Sequence, residues 1–396
     1  MTRRTFLAVA APAAWGQEWS QWRGPNRDGV LPASAVPKTW PEALRLAWKV
    51  PVGEGHSSPI LAAGKIFVFT RQGEQETLAA LDPASGKTLW REAYAAPYTM
   101  NPAAVRHGKG PKSTPVFHNG AVCTLGIDGI LWSFDAATGK TRWRKPPAGS
   151  PLYGAAMSPV VERGALIVHT GKHDGGALTA FDAASGDLRW TWTGDGPGYA
   201  SPVAAELGGV RQVITETQKY IVGVTAAAGK LLWQIPFTTA FDQNSVTPLV
   251  WGDTLILSGL GNGTMGVRVS QGTTERLWRN QSVSMYMSSP VPMGDVVFGF
   301  SHLNKGQLFA LDPETGETLW TGEPRQGDNA ALVVAGEHLL ALTNEAQLHV
   351  ARATAKGVEF LRHYTVAESP TWAHPLVMPG GLLIKDAASL AYWAIA

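Results

Sequence analysis

The 396-residue chain carries 33 basic and 31 acidic side chains, 44% hydrophobic residues, 44 glycines and one cysteine. The apolar content argues against disorder, the near-balance of charge against a nucleic-acid partner, and the lone Cys123 against any internal disulfide. Cys123 sits in the apolar run AVCTLGI, which reads as a core strand and not as a nucleophile's setting.

Residues 1–16 begin with Arg3 and Arg4, continue through Phe6, Leu7 and a short apolar run, and end among the small residues Ala14 and Gly16. This pattern predicts a twin-arginine-type signal peptide and a periplasmic or secreted protein. Its apolar run is too short to cross a bilayer as a helix, and no later run reaches that length, so no transmembrane segment is expected. Removing the two arginines from 33 basic residues leaves 31, equal to the 31 acidic ones. Residues 17–43 have turn residues and tryptophans but no period. We expect an extended N-terminal arm lying across the domain that follows, because its tryptophans need a surface to bury against.

Residues 44–396 read as one repeating domain. The unit is clearest in LAALDPASGKTLW, Leu78 to Trp90, and returns as LWSFDAATGKTRW, LTAFDAASGDLRW, IVGVTAAAGKLLW and LFALDPETGETLW, with a degenerate copy, VSQGTTERLW. Each copy predicts a hairpin: an alternating strand, an Asp for an Asx turn, a Gly for positive φ, and a second strand ending in Trp. The terminal tryptophans are Trp48, Trp90, Trp143, Trp190, Trp233, Trp278 and Trp320, spaced by about 45 residues, the period of a four-stranded propeller blade. We expect each to pack between neighbouring blades with its N–H on a backbone carbonyl. Leu89, Leu232, Leu277 and Leu319, each just before a Trp, should take the opposite strand face.

A second marker, the proline of SSPI, STPV, MSPV, ASPV, VTPL, SSPV and AHPL, falls at Pro59, Pro115, Pro159, Pro202, Pro248, Pro290 and Pro375, with Leu332 in the equivalent place of ALVVAGE. Eight markers predict an all-β, eight-bladed β-propeller. Blade 1 covers 51–90, and blades 2 to 7 end near 143, 190, 233, 278, 320 and 363. Blade 7 lacks both the proline and the Trp. Residues 44–50, LRLAWKV up to its valine, have a terminal Trp but no preceding strands, so they should supply the outer strand of blade 8 and close the ring.

The repeat A-x-D-x-x-[ST]-G-K-x-x-W, best in Ala80 to Trp90, resembles the tryptophan-docking repeat of quinoprotein-type propellers, and the chain resembles the PQQ-like β-propeller repeat family over 44–396. The opening QWRGPNRDG, Gln21 to Gly29, is similar to the start of exported bacterial proteins of this kind. The resemblance implies two precedents, PQQ-dependent alcohol dehydrogenases with a calcium site and BamB-type envelope assembly scaffolds. The chain departs from the dehydrogenases in having no vicinal cysteine pair and no calcium or catalytic carboxylates that can be matched. It departs from BamB-type scaffolds in having no lipidation cysteine after the signal.

In a propeller, the loops leading into the inner strands and those joining second to third strands share one face around the channel mouth. The register puts His56, Arg71, Arg106, His107, Lys109, Lys112, Lys172, His173, Lys219, Tyr286, His302, Lys305, Arg325 and His374 on that rim. As ligand-binding candidates we single out His56, Arg106, Lys112, His173, Lys219, Tyr286, Arg325 and His374, a cationic mouth suited to a carboxylate or phosphate. The competing reading is ordinary solvated loop charge, with Asp174, Asp242, Asp328 and Asp386 nearby. His173 and Asp174 alone do not make a catalytic pair. No HExxH, clustered Cys and His, phosphate loop or nucleophile elbow occurs, so no catalytic residue or metal ligand is assigned. The expectation is an exported, monomeric, non-catalytic propeller that binds a protein partner or a small anionic ligand at the channel face. Two alternatives remain open: a quinoprotein oxidoreductase of alcohols or sugars using PQQ and calcium, and a BamB-like scaffold.

Overall fold

The computed structural model describes residues 18–355 and 357–395; the expected export signal, 1–16, lies outside them. Eight antiparallel sheets form the ring, one per predicted blade. Blade 1 is Ile60–Ala62, Lys65–Gln72, Gln75–Leu81 and Thr88–Ala95, in that order from the channel outward. Its inner three strands are almost wholly buried and its outer strand is largely exposed, the gradient expected when sheets pack face to face around an axis. Blade 8 consists of Leu376–Met378, Gly381–Lys385 and Ser389–Ala394, completed by Arg45–Pro51 from the start of the chain. The ring is therefore closed by pairing one terminus with the other. Helical structure among the described residues is confined to short 3-10 turns.

Two sets of bonds tie blades to their successors at five of the eight junctions. In the first, the terminal Trp of one blade donates its indole N–H to the carbonyl just past the Asp position of the following blade's turn. The bonds are Trp48 to Pro83 (3.2 Å), Trp90 to Ala136 (3.1 Å), Trp143 to Ala183 (3.1 Å), Trp190 to Ala226 (3.0 Å) and Trp278 to Pro313 (3.1 Å). The turn is built to receive the ring. Asp82, Asp135, Asp182 and Asp312 accept backbone N–H groups two or three residues on, as Asx turns do. The repeat's Gly does more than turn the chain: at Gly229 φ is +65°, and a methyl there would come within 2.3 Å of the Trp190 ring. Where the receiving turn is degenerate, docking changes. Trp233 faces blade 5, whose turn has no Asp, and donates to the Gln212 side chain of its own blade at 2.6 Å.

The second set explains the Ser-Pro marker. The N–H of the residue before the proline donates to the hydroxyl of the same residue in the next blade: Ser58 to Thr114 (3.1 Å), Thr114 to Ser158 (2.9 Å), Ser158 to Ser201 (2.9 Å) and Thr247 to Ser289 (3.1 Å). His374 of blade 8 donates to Ser58 at 2.9 Å, carrying the series across the closure.

The residues before each Trp depart from regular alternation. Ala80 pairs with Trp90 and Leu81 with Thr88, so Leu89 is the extra residue of a bulge and is 50% exposed. Leu232, Leu277 and Leu319 are extra in the same way. Cys123 is buried, and burial pushes its thiol up to about 11.

The arm is a run of turns instead of an extended segment, and it occupies the channel. Trp19 bridges Leu61, the Ser20 carbonyl accepts from the Phe117 N–H (2.8 Å), and Val30–Leu31 adds a fifth, parallel strand to blade 7 opposite Val334 and Ala335. Trp19 and Trp40 are each only 2% exposed. Both find the surface that the composition demanded: Trp19 inside the ring against Leu61, and Trp40 against His338 and the outer-strand Tyr364 of blade 7.

Candidate ligand site at the channel mouth

A cavity of about 540 Å³ opens at the end of the ring where the inner strands begin. Loops of several blades supply one aromatic each: Tyr153, Tyr199, Phe241, Tyr286 and Trp372. Trp22, from the arm, is the sixth. Arg106 and Lys112 are the only ionised side chains in the lining, and no carboxylate is among it. A lobe of about 240 Å³ continues past Arg106, Tyr286 and Trp372 to His302, Lys305 and the carboxylate Asp328.

Each polar side chain has a definite setting. Arg106 lies 6.0 Å from the Trp372 ring centroid, pairs with Asp328 at 3.3 Å on the rim, and donates to His107 Nε2 at 3.1 Å. Lys112 donates to the Tyr153 carbonyl at 2.5 Å, and burial lowers its pKa to about 8. His56 and His107 stand edge to face, 5.8 Å apart; burial first, then neighbouring charge, lowers them to about 3 and about 4, so both imidazoles are neutral at neutral pH. His56 Nε2 is out of reach of solvent and has no hydrogen-bond partner. The Tyr286 hydroxyl donates to Gln243 Oε1, and burial raises its pKa. Phe241 holds left-handed backbone, φ +63°, and is 72% exposed at the lip. A bulky side chain rarely adopts that conformation, and strain of this kind collects at functional sites.

Of the eight candidates, His56, Arg106, Lys112 and Tyr286 line the cavity. His173 and Lys219 form a separate rim cluster: His173 lies 3.4 Å from Asp174 and 3.7 Å from Asp242, and Lys219 lies 3.8 Å from Asp174. Both sit beside acidic neighbours on the rim, and neither lines the cavity. Arg325 is exposed and outside the lining. His374 is buried below the cavity with its ring 4.4 Å from that of Trp22, and burial lowers it to about 3. Of the wider rim set, Arg71 is buried and bonded to Gly73, Glu74 and Ala96, a scaffold role. Of the six aromatics, Tyr286 alone was among the sequence candidates. The signal was present, an aromatic a few residues before the proline marker in one loop after another, but attention to charge hid it.

The donor set can be tested against calcium. Calcium takes six to eight oxygen ligands and generally needs carboxylates; this cavity offers two cations and no carboxylate. No group of three or more His, Cys, Asp or Glu that could hold a metal occurs among the described residues. The buried carboxyls Glu76 and Glu216 lie outside the lining, and burial raises both. A calcium ion does not fit here, and no step is derived through one.

A family model described as outer membrane protein assembly factor BamB matches residues 74–322. The chain is 23% identical to the outer membrane protein assembly factor BamB of Yersinia pestis over 93% of each protein. It is also 23% identical to the quinohemoprotein alcohol dehydrogenase ADH-IIG of Pseudomonas putida, over 88% of this chain but 45% of that enzyme. Among solved structures, BamB from Moraxella catarrhalis superposes with a TM-score of 0.64 at 18% identity, over 89% of this chain and all of that one. The ADH-IIG structure gives 0.69 at 15% identity, over 96% and 80%. At these identities the superpositions speak for the fold alone.

Proposed function

Because this chain belongs to the PQQ-like β-propeller family whose model is described as outer membrane protein assembly factor BamB, we propose that it is a non-catalytic, exported binding protein that takes an anionic ligand in the channel mouth. The observation that carries this reading is the lining: Arg106 and Lys112 face an aromatic cavity that contains no carboxylate. Lys112, partly buried and without an acidic partner, favours an anion more than a solvated charge does, and Arg106, exposed at the rim and paired with Asp328 at 3.3 Å, can exchange that partner for a ligand. The unpartnered His56 Nε2 adds a polar group in want of a partner. A dehydrogenase would need a base and a metal; the main cavity is lined by no carboxylate, and the one in its lobe, Asp328, is paired with Arg106.

A second reading, docking of a protein partner as an assembly scaffold, is favoured by Phe241, an aromatic 72% exposed on the lip. Such a residue is a typical anchor at protein interfaces. Titration of the monomeric protein with PQQ, benzene-1,2,4,5-tetracarboxylate and citrate, with and without calcium, separates the readings. Anion binding that is indifferent to calcium and weakened about tenfold or more in Arg106→Ala/Lys112→Ala is the expected result. Dye-linked alcohol or sugar oxidation with PQQ and calcium would overturn it in favour of an enzyme. Silence of every anion would leave partner docking.

A further inference from the structure

We infer that Trp22, carried into the ring by the N-terminal arm, is a ligand-contact residue of the mouth, and that docking of the arm and occupancy of the mouth stabilise one another. The inference rests on the reading of the mouth as an anion site.

The path of the arm is the first ground. Its backbone meets the ring at the far ends of the inner strands, where Trp19 exchanges bonds with Leu61 (2.9 and 3.1 Å) and the Gly29 carbonyl accepts from Val334 (2.9 Å). Its side chains reach the opposite ends. Arg27 donates to the carbonyls of Ser158 and Pro159, each at 2.9 Å, and Arg23 to that of Pro290. Trp22 Nε1 donates to the Thr247 hydroxyl at 3.2 Å, and its indole forms part of the cavity wall. The arm thus turns an open channel into a blind pocket and supplies its floor.

Charge is the second ground. Arg23 and Arg27 are 1% and 4% exposed, and their bonds go to carbonyls and to the Gln21 amide, not to carboxylates. Nε and Nη1 of Arg23 and Nε of Arg27 have no partner. Burial lowers the two groups to about 10 and about 9, so both remain cationic at neutral pH. Two incompletely compensated guanidinium groups beside the floor of a cationic cavity make an anion above them more favourable. By reciprocity the anion offsets part of the cost of burying them, which holds the arm in place. An arm that merely fastened the ring would show neither an indole in the cavity wall nor buried guanidinium groups bonded to carbonyls and an amide, with Asp28 the one nearby carboxylate for Arg23.

Arg23 and Arg27 are also trypsin sites, inaccessible while the arm is docked. The full chain is digested with and without benzene-1,2,4,5-tetracarboxylate at about ten times its Kd, and cleavage after these two residues is followed by mass spectrometry. If the ligand binds only the docked form, cutting slows about tenfold. In parallel, calorimetric titration compares wild type with Trp22→Ala and Trp22→Phe; the first is expected to bind about tenfold or more weakly and the second to recover most of the loss. Should Trp22→Ala fail to fold, Trp22→Phe and the wild-type digestion still decide. Unchanged affinity in Trp22→Ala together with an unchanged cutting rate overturns the inference and leaves the arm a fastener. A wild type that binds no anion in the calorimeter overturns the underlying reading as well, and is recognised by that silence before any variant is made.

Discussion

Blades 6 and 7 are neighbours in the same ring and are held by different means. Blade 6 has the Asp312 turn, a Gly316 that receives the Trp278 ring, and the Ser289 hydroxyl that accepts from Thr247. Blade 7, strands Ala330–Ala335, His338–Thr343, Gln347–Thr354 and Gly357–Thr365, has Ala331 where the hydroxyl should be and neither an Asp turn nor a terminal Trp. The arm makes up the difference. Val30–Leu31 extends the blade's sheet, Trp40 packs beside His338 (6.2 Å) and Tyr364 (6.4 Å), and the Pro41 carbonyl accepts from Arg362 (3.0 Å) and the Tyr364 hydroxyl (2.5 Å). The motif is a set of two-blade bonds. A copy can lapse where a non-repeating segment covers its neighbour's exposed groups, as here, or where a side chain of the same blade takes the bond, as Gln212 does for Trp233.

Removing the closing strand should have the largest effect on this contrast. Deletion of 44–50 takes away the outer strand of blade 8 and leaves a bare edge at the ring's seam; size-exclusion and thermal melts should show aggregation and loss of a cooperative transition. An unchanged melt would mean that the seam closes by other contacts. Next, Trp190→Ala should cost about 3 to 5 kcal/mol in denaturant unfolding, because Trp190 is 7% exposed and bonded to Ala226. Trp320→Ala should cost clearly less: that indole faces blade 7, is half-buried, and has no carbonyl partner among the described residues. Equal losses would break the distinction between docked and undocked tryptophans.

Smaller again is the glycine contrast. Gly229→Ala must push a methyl into Trp190 and should cost about 1 to 3 kcal/mol from overpacking beyond its backbone strain. Gly73→Ala, also at positive φ but facing open space, should cost about 1 kcal/mol. The smallest effect separates the mouth from the scaffold. Lys112 titrates near about 8, below its ordinary value, so it is charged below that pH and loses its proton above it. Anion affinity should therefore fall as pH rises through about 8, while the same deprotonation, relieving a buried charge, should raise the stability of the unliganded protein, and Lys112→Arg should remove the fall in affinity.

The ring was legible in the sequence because its determinants are local and repeated. An Asx turn, a positive-φ Gly and a Trp four residues later specify a hairpin wherever they occur, and even Leu332 could be placed by register alone. The hydroxyl series was visible only as a marker, since its physical sense lies in the neighbouring blade. The arm was not legible: Arg23 and Arg27 seek backbone carbonyls of Pro290 and of Ser158 and Pro159, which no pattern of residue types announces. For the mouth, loop register located His56, Arg106, Lys112 and Tyr286 on the right face. It could not tell that His374 points inward to Trp22, nor that Lys219 turns to Asp174. Direction of a side chain within a loop depends on its packing, and that is settled only in three dimensions.

Both inter-blade series run the same way around the ring. Trp90 gives its N–H forward to Ala136, and Ser58 gives its N–H forward to Thr114; wherever the connectors are present, a blade donates to its successor and receives from its predecessor. A blade is accordingly a tile with one kind of connector on each side. Tandem duplication of the gene segment would add a unit already wired to both neighbours, and a circular permutant starting in an ordinary loop between blades would keep every connector. The connectors themselves do not count to eight. What counts is the bore: it must admit Trp19, Trp22, Arg23 and Arg27 with no gap, so a ring gaining or losing one tile would have to find a different axle.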